Sequence, residues 1–236
     1  MKRIYTIKDR LSFIDNITHP KSLESMLDTD DIGTKIHNFR ELILQIGGKL
    51  TYVKSGSTGH TFKGTITRYN NKIYYAVKIV AITNKGKYGA PDNQKRPENA
   101  ELKMIKVLSH FVINKETPHI VLPIYSFNTD LKSVLNILLK KKFIHNQKYQ
   151  DKFDDFVKRF HNKGYHKMAS ILISEWADGG DFLDFLRKTK NGIKVYDKMT
   201  VEHWRCFFFQ IISTMACILC KYPRFRHNDL KPNNLL

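Results

Sequence analysis

The sequence predicts an α+β protein: an antiparallel sheet carrying one packed helix, followed by a mainly helical part. Three observations lead there. From Lys49 the apolar period moves towards two, and glycine- or asparagine-bearing turns divide the run into strand-length pieces. Pro97 opens a stretch in which apolar residues recur every three or four positions, as in a helix. Residues 201–221 then form a long run that is apolar nearly all round, which calls for a buried helix.

Composition bounds the rest. With 236 residues, the chain is long enough to bury a sizeable core in one or two domains. Its 42% hydrophobic and 26% charged residues are those of a soluble globular protein. A net charge of +18 favours anionic partners: nucleotide phosphates, nucleic acid, acidic peptides or anionic lipid surfaces. The only cysteines are Cys206, Cys217 and Cys220, which suits a reducing, intracellular and cytoplasmic setting. Cys217 and Cys220 share an apolar helical run, so buried thiols are expected rather than a redox or metal pair. The first ten residues carry charges throughout and have no signal-peptide core. The longest apolar stretch, residues 207–219, is interrupted by Gln210, Ser213 and Thr214 and reads as too short to span a bilayer.

Taken in order, residues 1–48 read as an extension ahead of the main domain. It contains an amphipathic helix at 35–46, stopped by Gly47 and Gly48. Strands are expected at 50–54, 61–69 and 72–82, with Asn70 and Asn71 as the turn between the last two. Residues 83–96 form a loop. A helix runs from Pro97 to about Phe111, and a strand follows at 118–127. Residues 129–167 are a lysine-rich insertion with two amphipathic helices, carrying Leu131, Val134, Leu135 and Leu138, then Phe153, Phe156, Val157 and Phe160. Its lysines are open to two readings, a solvated face or a nucleic-acid or membrane patch. A strand at 169–176 ends in Gly179-Gly180, and a short helix follows at 181–188.

Chemistry concentrates near the end. His227-Asn-Asp-Leu-Lys-Pro-Asn-Asn234 sets an acid, a cation and an amide at spacings of two and five, namely Asp229, Lys231 and Asn234. A carboxylate accepts a hydroxyl proton, an ammonium holds a phosphate, and an amide oxygen ligates a hard cation such as Mg²⁺. Upstream, Lys78 interrupts an apolar strand and Glu101 interrupts the stripe made by Met104, Ile105 and Leu108. Each needs a counter-charge if buried, and pairing the two satisfies both. Between the first two strands, Gly56 and Gly59 let backbone N–H groups approach phosphate oxygens.

The octapeptide resembles the catalytic loop of eukaryotic-type protein kinases, serine/threonine branch, with Asn228 in place of the usual arginine. Tyr-Ala-Val-Lys-Ile around Lys78 resembles the third-strand lysine motif, and the segment from Glu101 to His110 resembles the end of the αC helix. KSGSTGHT at 54–61 resembles the glycine-rich loop, with Lys54 at the first glycine position and Thr61 at the usual valine. The segment from Leu172 to Asp181 resembles the hinge, with Ser174 as gatekeeper. The likeness covers roughly residues 49–236 and implies a protein-kinase-like fold that uses ATP and Mg²⁺ on protein serine or threonine. In that likeness Val53, Gly56, Ser57, Gly59, Thr61, Ala76 and Lys78 line the nucleotide site, with Glu101 orienting Lys78. The main chain of Glu175 and Ala177 meets adenine, and Asp181 meets the ribose or a basic substrate side chain. Asp229 is the base, Lys231 steadies the γ-phosphate and Asn234 holds Mg²⁺. The lysine- and asparagine-rich style is similar to kinases of large DNA viruses.

Leu236 falls within what the resemblance makes the strand after the catalytic loop, ahead of any Asp-Phe-Gly, activation segment or most of the helical lobe. The sequence reading is therefore a truncated or split frame, or a product completed by another chain, with impaired transfer. A non-catalytic pseudokinase-like fragment binding a protein, and a basic nucleic-acid binder, are the alternatives.

Overall fold

The computed structural model describes residues 7–18, 32, 36–41, 49–55, 59–68, 71–84, 88–140, 147–190 and 192–236. They fall into two compact units, Met1–Ser109 with Val121–Trp176, and His110–Ile120 with Ala177–Leu236. The α+β class expected from the sequence is what the structure has: a kinase-like antiparallel sheet with its helices, and part of a helical lobe.

The first unit is built on five antiparallel strands in the order β1-β2-β3-β5-β4. These are β1 (Lys49–Ser55), β2 (Gly59–Arg68), β3 (Asn71–Thr83), β4 (Pro123–Asp130) and β5 (Tyr165–Glu175). β3 is rich in branched and aromatic residues and pairs on both sides, so it forms the centre of the sheet. Asn71 pairs with Arg68 as part of the strand and is not the turn residue expected of it, while Tyr69 and Asn70 lie outside the described residues. The fourth strand is shifted at both ends from the expected 118–127, and Leu122 just ahead of it is tied to Glu175 at the end of β5. At Gly64 an added Cβ would meet the Tyr75 ring at 2.1 Å, so the buried tyrosine lies flat on a position that only glycine fits.

Side chains directly opposite one another share a face. One face carries His60, Phe62, Tyr75, Val77, Ile79, Ile171 and Ile173. All of these are buried. The other carries Thr61, Lys63, Ala76, Lys78, Leu172 and Ser174. The helices between β4 and β5, α3 (Leu131–Lys140) and α4 (Gln147–His161), bury Leu131, Val134, Leu135, Leu138, Phe153 and Phe156. Phe156 and Phe153 meet the His60 ring edge-on at 4.5 and 5.5 Å, and Tyr149 meets Tyr52 at 5.5 Å. The first apolar face is thereby covered, and the lysine-rich segment acts as a packing layer. The described exposed side chains of α4 mix Asp151, Asp154 and Asp155 with Lys152, Lys158 and Arg159, while Lys141 and Lys142 of the expected lysine run lie outside the described residues.

The N-terminal residues join this unit. α1 (Ile7–Thr18) buries Ile14, and the 36–41 segment runs beside β4, with the His37 N–H donating to Asn128 O at 3.0 Å and Phe39 buried. α2 (Pro97–Ile113) turns Asn99, Leu102, Lys106 and Ser109 inward. The stripe expected from the sequence, Glu101, Met104, Ile105 and Leu108, is half-exposed or exposed. Inward Ser109 donates its hydroxyl to Ile105 O at 2.7 Å, so a polar residue that periodicity reads as outward is accommodated within the helix's own turn.

The second unit contains α5 (Phe182–Arg187), a small ladder of β6 (Thr189–Lys190) with β7 (Ile193–Lys194), and α6 (Val201–Lys221). α6 begins at a capping box in which Thr200 and His203 satisfy each other's free N–H groups. One stripe is packed: the Thr214 hydroxyl meets Thr117 at 3.1 Å and Ile218 is buried, while Phe182 stacks on Phe207 at 3.7 Å. The expectation of a buried helix is overturned on the opposite side, where Phe208, Phe209 and Ile212 are exposed, Phe209 to 71%. The thiols follow suit: Cys206 and Cys220 are exposed and Cys217 half-buried, against the expected buried set. Periodicity places apolar residues on a helix; burial needs neighbours, and among the described residues of this unit they cover one stripe. At 21 residues with mean hydropathy 1.3, α6 is by length and composition apolar enough to cross a membrane, longer than the 207–219 run suggests.

Candidate active site

The candidate side chains form two clusters, one in each unit. In the first, β3 directs Lys78 and α2 directs Glu101, and the lysine ammonium donates to the glutamate carboxylate. The pairing expected from the sequence is present, but not for the expected reason: the side chains are 37% and 48% exposed, so desolvation does not force it. The lysine is pinned at its base by the sheet and met at its tip by the helix.

The register sorts the remaining sequence candidates. Thr61 lies opposite Lys78 and Ala76 opposite Ser174, so all four share the face that carries Lys78. Val53 falls in the irregularity between Tyr52 and Lys54, where β1 slips against β2. An added Cβ at Gly59 would lie 2.6 Å from Ile79 O, so close strand approach alone requires that glycine. Gly56 and Ser57 lie outside the described residues.

Glu175 ends β5. Its N–H donates to Leu122 O at 3.1 Å, and its carboxylate accepts from the Leu122 N–H at 2.7 Å. Arg10 of α1 forks onto the same carboxylate, with Nε donating at 3.0 Å and Nη2 donating to the other oxygen. Nothing in the sequence signals this partner, which lies 165 positions away. In the second unit, Ala177 O accepts from the Gly180 N–H at 3.2 Å. Asp181 is 6% exposed, and its Oδ1 accepts from the Asp184 N–H at 2.9 Å. It caps α5, an inward task that the expected ribose role did not foresee.

The second cluster is local. The Asp229 N–H donates to His227 O at 2.8 Å across Asn228, whose φ of +60° is a conformation asparagine tolerates. Pro232–Asn234 then makes a single 3₁₀ turn. This brings Lys231 Nζ to 2.8 Å from Asp229 Oδ1. Asn234 Nδ2 donates to Asp229 Oδ2 at 2.8 Å and to the Asp229 carbonyl at 2.9 Å. The hydrogen bond from Lys231, then that from Asn234, holds the Asp229 carboxyl below its ordinary pKa. The Phe182 N–H donates to Leu235 O at 2.8 Å, tying the start of α5 to the end of the loop.

This is an ionised carboxylate, steadied and left open to solvent, with an ammonium and an amide beside it. Such a group can accept a proton from an approaching hydroxyl. Among the described residues no three histidine, cysteine or acidic side chains form a metal-holding group. The Asn234 amide keeps its oxygen as a hard donor, which fits a Mg²⁺ ion that arrives with phosphate and water ligands of its own.

No known protein-family profile matches the chain. The chain is 41% identical over 239 aligned positions to a protein of Acanthamoeba polyphaga mimivirus provisionally named a serine/threonine-protein kinase. The match takes in 97% of this chain and 49% of that protein, so the chain spans about half the length of the curated relative it matches. The motifs carry the resemblance to serine/threonine protein kinases and the lysine- and asparagine-rich style that to kinases of large DNA viruses; the likeness to this mimivirus protein runs along nearly the whole chain.

Proposed function

We propose that this chain carries the nucleotide-binding and catalytic-loop segments of a serine/threonine protein kinase. Lys78, steadied by Glu101, holds the α- and β-phosphates of ATP, and the main chain of Glu175 accepts the adenine amino group. The Asp229 carboxylate orients the protein serine or threonine hydroxyl and takes its proton as the hydroxyl oxygen bonds to the γ-phosphorus. The bond from that phosphorus to the β–γ bridging oxygen breaks and ADP leaves, while Lys231 steadies the charge on the transferred group. Mg²⁺, when bound at Asn234, neutralises the phosphate oxygens. The single observation that carries the reading is the Lys78–Glu101 pair, because two charges far apart in sequence meet as the motifs demand.

The test is ³²P transfer from γ-labelled ATP to a serine- and threonine-containing protein substrate. Asp229→Ala is expected to lower the rate by about a thousandfold or more, the scale of a lost catalytic base with its positioning. Transfer that persists undiminished in Asp229→Ala would overturn the reading.

A non-catalytic, partner-binding role is the second reading, and the exposed apolar side of α6 favours it. It predicts partner binding without nucleotide, unchanged by Lys78→Met. The net charge of +18 supports a polyanion as an additional partner, although the mixed charges of α4 do not concentrate it. The low cysteine count, three in 236 residues, is the ground for proposing an intracellular site of action.

A further inference from the structure

We propose that Arg10 is a positioning residue for the nucleotide base, acting through Glu175, so that helix α1 belongs to the machinery that distinguishes adenine from guanine. The proposal rests on the kinase reading, in which the Glu175 carbonyl accepts a hydrogen bond from the base. What is new is that a residue of the N-terminal helix sets where that carbonyl lies.

Glu175 is held at every polar atom named so far. Its N–H and its carboxylate clasp both main-chain groups of Leu122, at 3.1 and 2.7 Å. Its carbonyl accepts from the Ser174 hydroxyl at 3.3 Å, which leaves a second lone pair. Its Cα partner across the sheet is Tyr75, the fully buried ring lying on Gly64. Arg10 closes the arrangement with a two-pronged contact to the carboxylate. The paired side chains are only 14% and 15% exposed, so this is a desolvated ion pair with guanidinium geometry that lysine cannot reproduce.

Removing Arg10 leaves a mostly buried carboxylate with one main-chain donor. A charge so placed is costly, and the least costly remedy is for Glu175 to rotate towards water. Rotation gives up the Leu122 N–H, and the last residue of β5 is then fixed by one strand-like bond instead of a closed ring. The carbonyl next to the carboxylate loses its aim. Adenine presents an amino donor where guanine presents a carbonyl acceptor, so an aimed main-chain acceptor favours the first and repels the second. A loosened one does neither well.

The measurement is calorimetric titration of the parent chain, Arg10→Ala, Arg10→Lys and Glu175→Gln with Mg-ATP and with Mg-GTP, well below the melting temperature of each. Arg10→Ala is expected to raise the ATP Kd about tenfold and to shrink the GTP-to-ATP Kd ratio by a similar factor, the equivalent of ~1.4 kcal/mol. Arg10→Lys, which reaches one oxygen, falls between. Adding Arg10→Ala to Glu175→Gln changes little further, because both act through the same contact. A lowered melting temperature with both Kd values and their ratio unchanged would show that Arg10 only holds α1 in place. That outcome overturns the proposal while leaving the kinase reading intact. A parent chain that binds neither nucleotide removes the kinase reading and this inference with it. If Arg10→Ala does not fold, the ratio measured for Arg10→Lys decides.

Discussion

Lys78 and Glu101 meet across 23 positions, whereas Asp229 and Asn234 meet across five. The first pair exists because a five-stranded sheet fixes one partner and a packed helix the other. The second exists because the chain turns on itself through one asparagine with positive φ and one 3₁₀ turn. Their surroundings differ in the same sense. In the first unit α3 and α4 bury their apolar stripes, while α6 of the second leaves much of its apolar surface in water. One cluster is held by tertiary packing and the other by local backbone geometry, so they should fail under different perturbations.

The largest expected effect is on packing. Phe156→Ala removes a buried ring lying 4.5 Å from His60 and 5.1 Å from Tyr165. Denaturant unfolding of the first unit should show a loss of about 3–5 kcal/mol, with Lys78-dependent nucleotide binding weakened in step. A loss below about 1 kcal/mol would mean that α4 is not the cover described here.

His60 supplies the next. Burial, aided by Lys152, pushes its pKa from 6.5 down to about 4. The unfolded chain therefore takes up a proton near pH 6.5, and the folded chain does so only near 4. Stability is full above pH 6.5, falls by about 3 kcal/mol as pH drops through that window, and levels below it. Melting curves of the parent and His60→Phe between pH 4 and 7 should diverge, the variant being flatter. Parallel curves would show that the imidazole is not the titrating group.

A smaller effect separates the local cluster from the packed one. In Lys231→Ala the Asp229 pKa should rise towards its ordinary value, and in Asn234→Ala it should rise less, since the lysine hydrogen bond is the larger cause. Carbon-13 NMR titration of the carboxyl reads this directly. Phe156→Ala, compared under conditions where it is still folded, should leave that pKa where it is. The smallest effect is Phe209→Ser, expected to change stability by no more than about 0.5 kcal/mol because the ring is 71% exposed. A loss above about 2 kcal/mol would place Phe209 under a cover and erase the contrast between α4 and α6.

Much of the layout was legible in residue order. The main strands and helices α2 to α6 followed from periodicity, and α6 begins and ends where its pattern does; α1, in a stretch that reads as mixed and polar, and the short β6–β7 ladder did not. The octapeptide carried its own geometry, because a carboxylate, an ammonium and an amide within six residues meet through a single turn. Boundaries were less legible. β5 starts four residues before its apolar run because Tyr165 and Met168 pair into the sheet, carrying His166 and Lys167 between them despite the segment's mixed character. The inward face of α2 was misjudged because a lysine and a serine point in where periodicity reads them as outward.

Local pattern by itself determined the main strands, helices α2 to α6, their order, the acid–cation–amide constellation of residues 229–234 and the motif likeness. Those features depend on neighbours along the chain, which a sequence records. Tertiary structure alone decided that Arg10 grips Glu175, that α3 and α4 serve as a packing layer, and that half of α6 stays wet. Each of those depends on which surface arrives opposite another across many positions, and the free energy of burial or ion pairing belongs to that meeting and not to either residue alone.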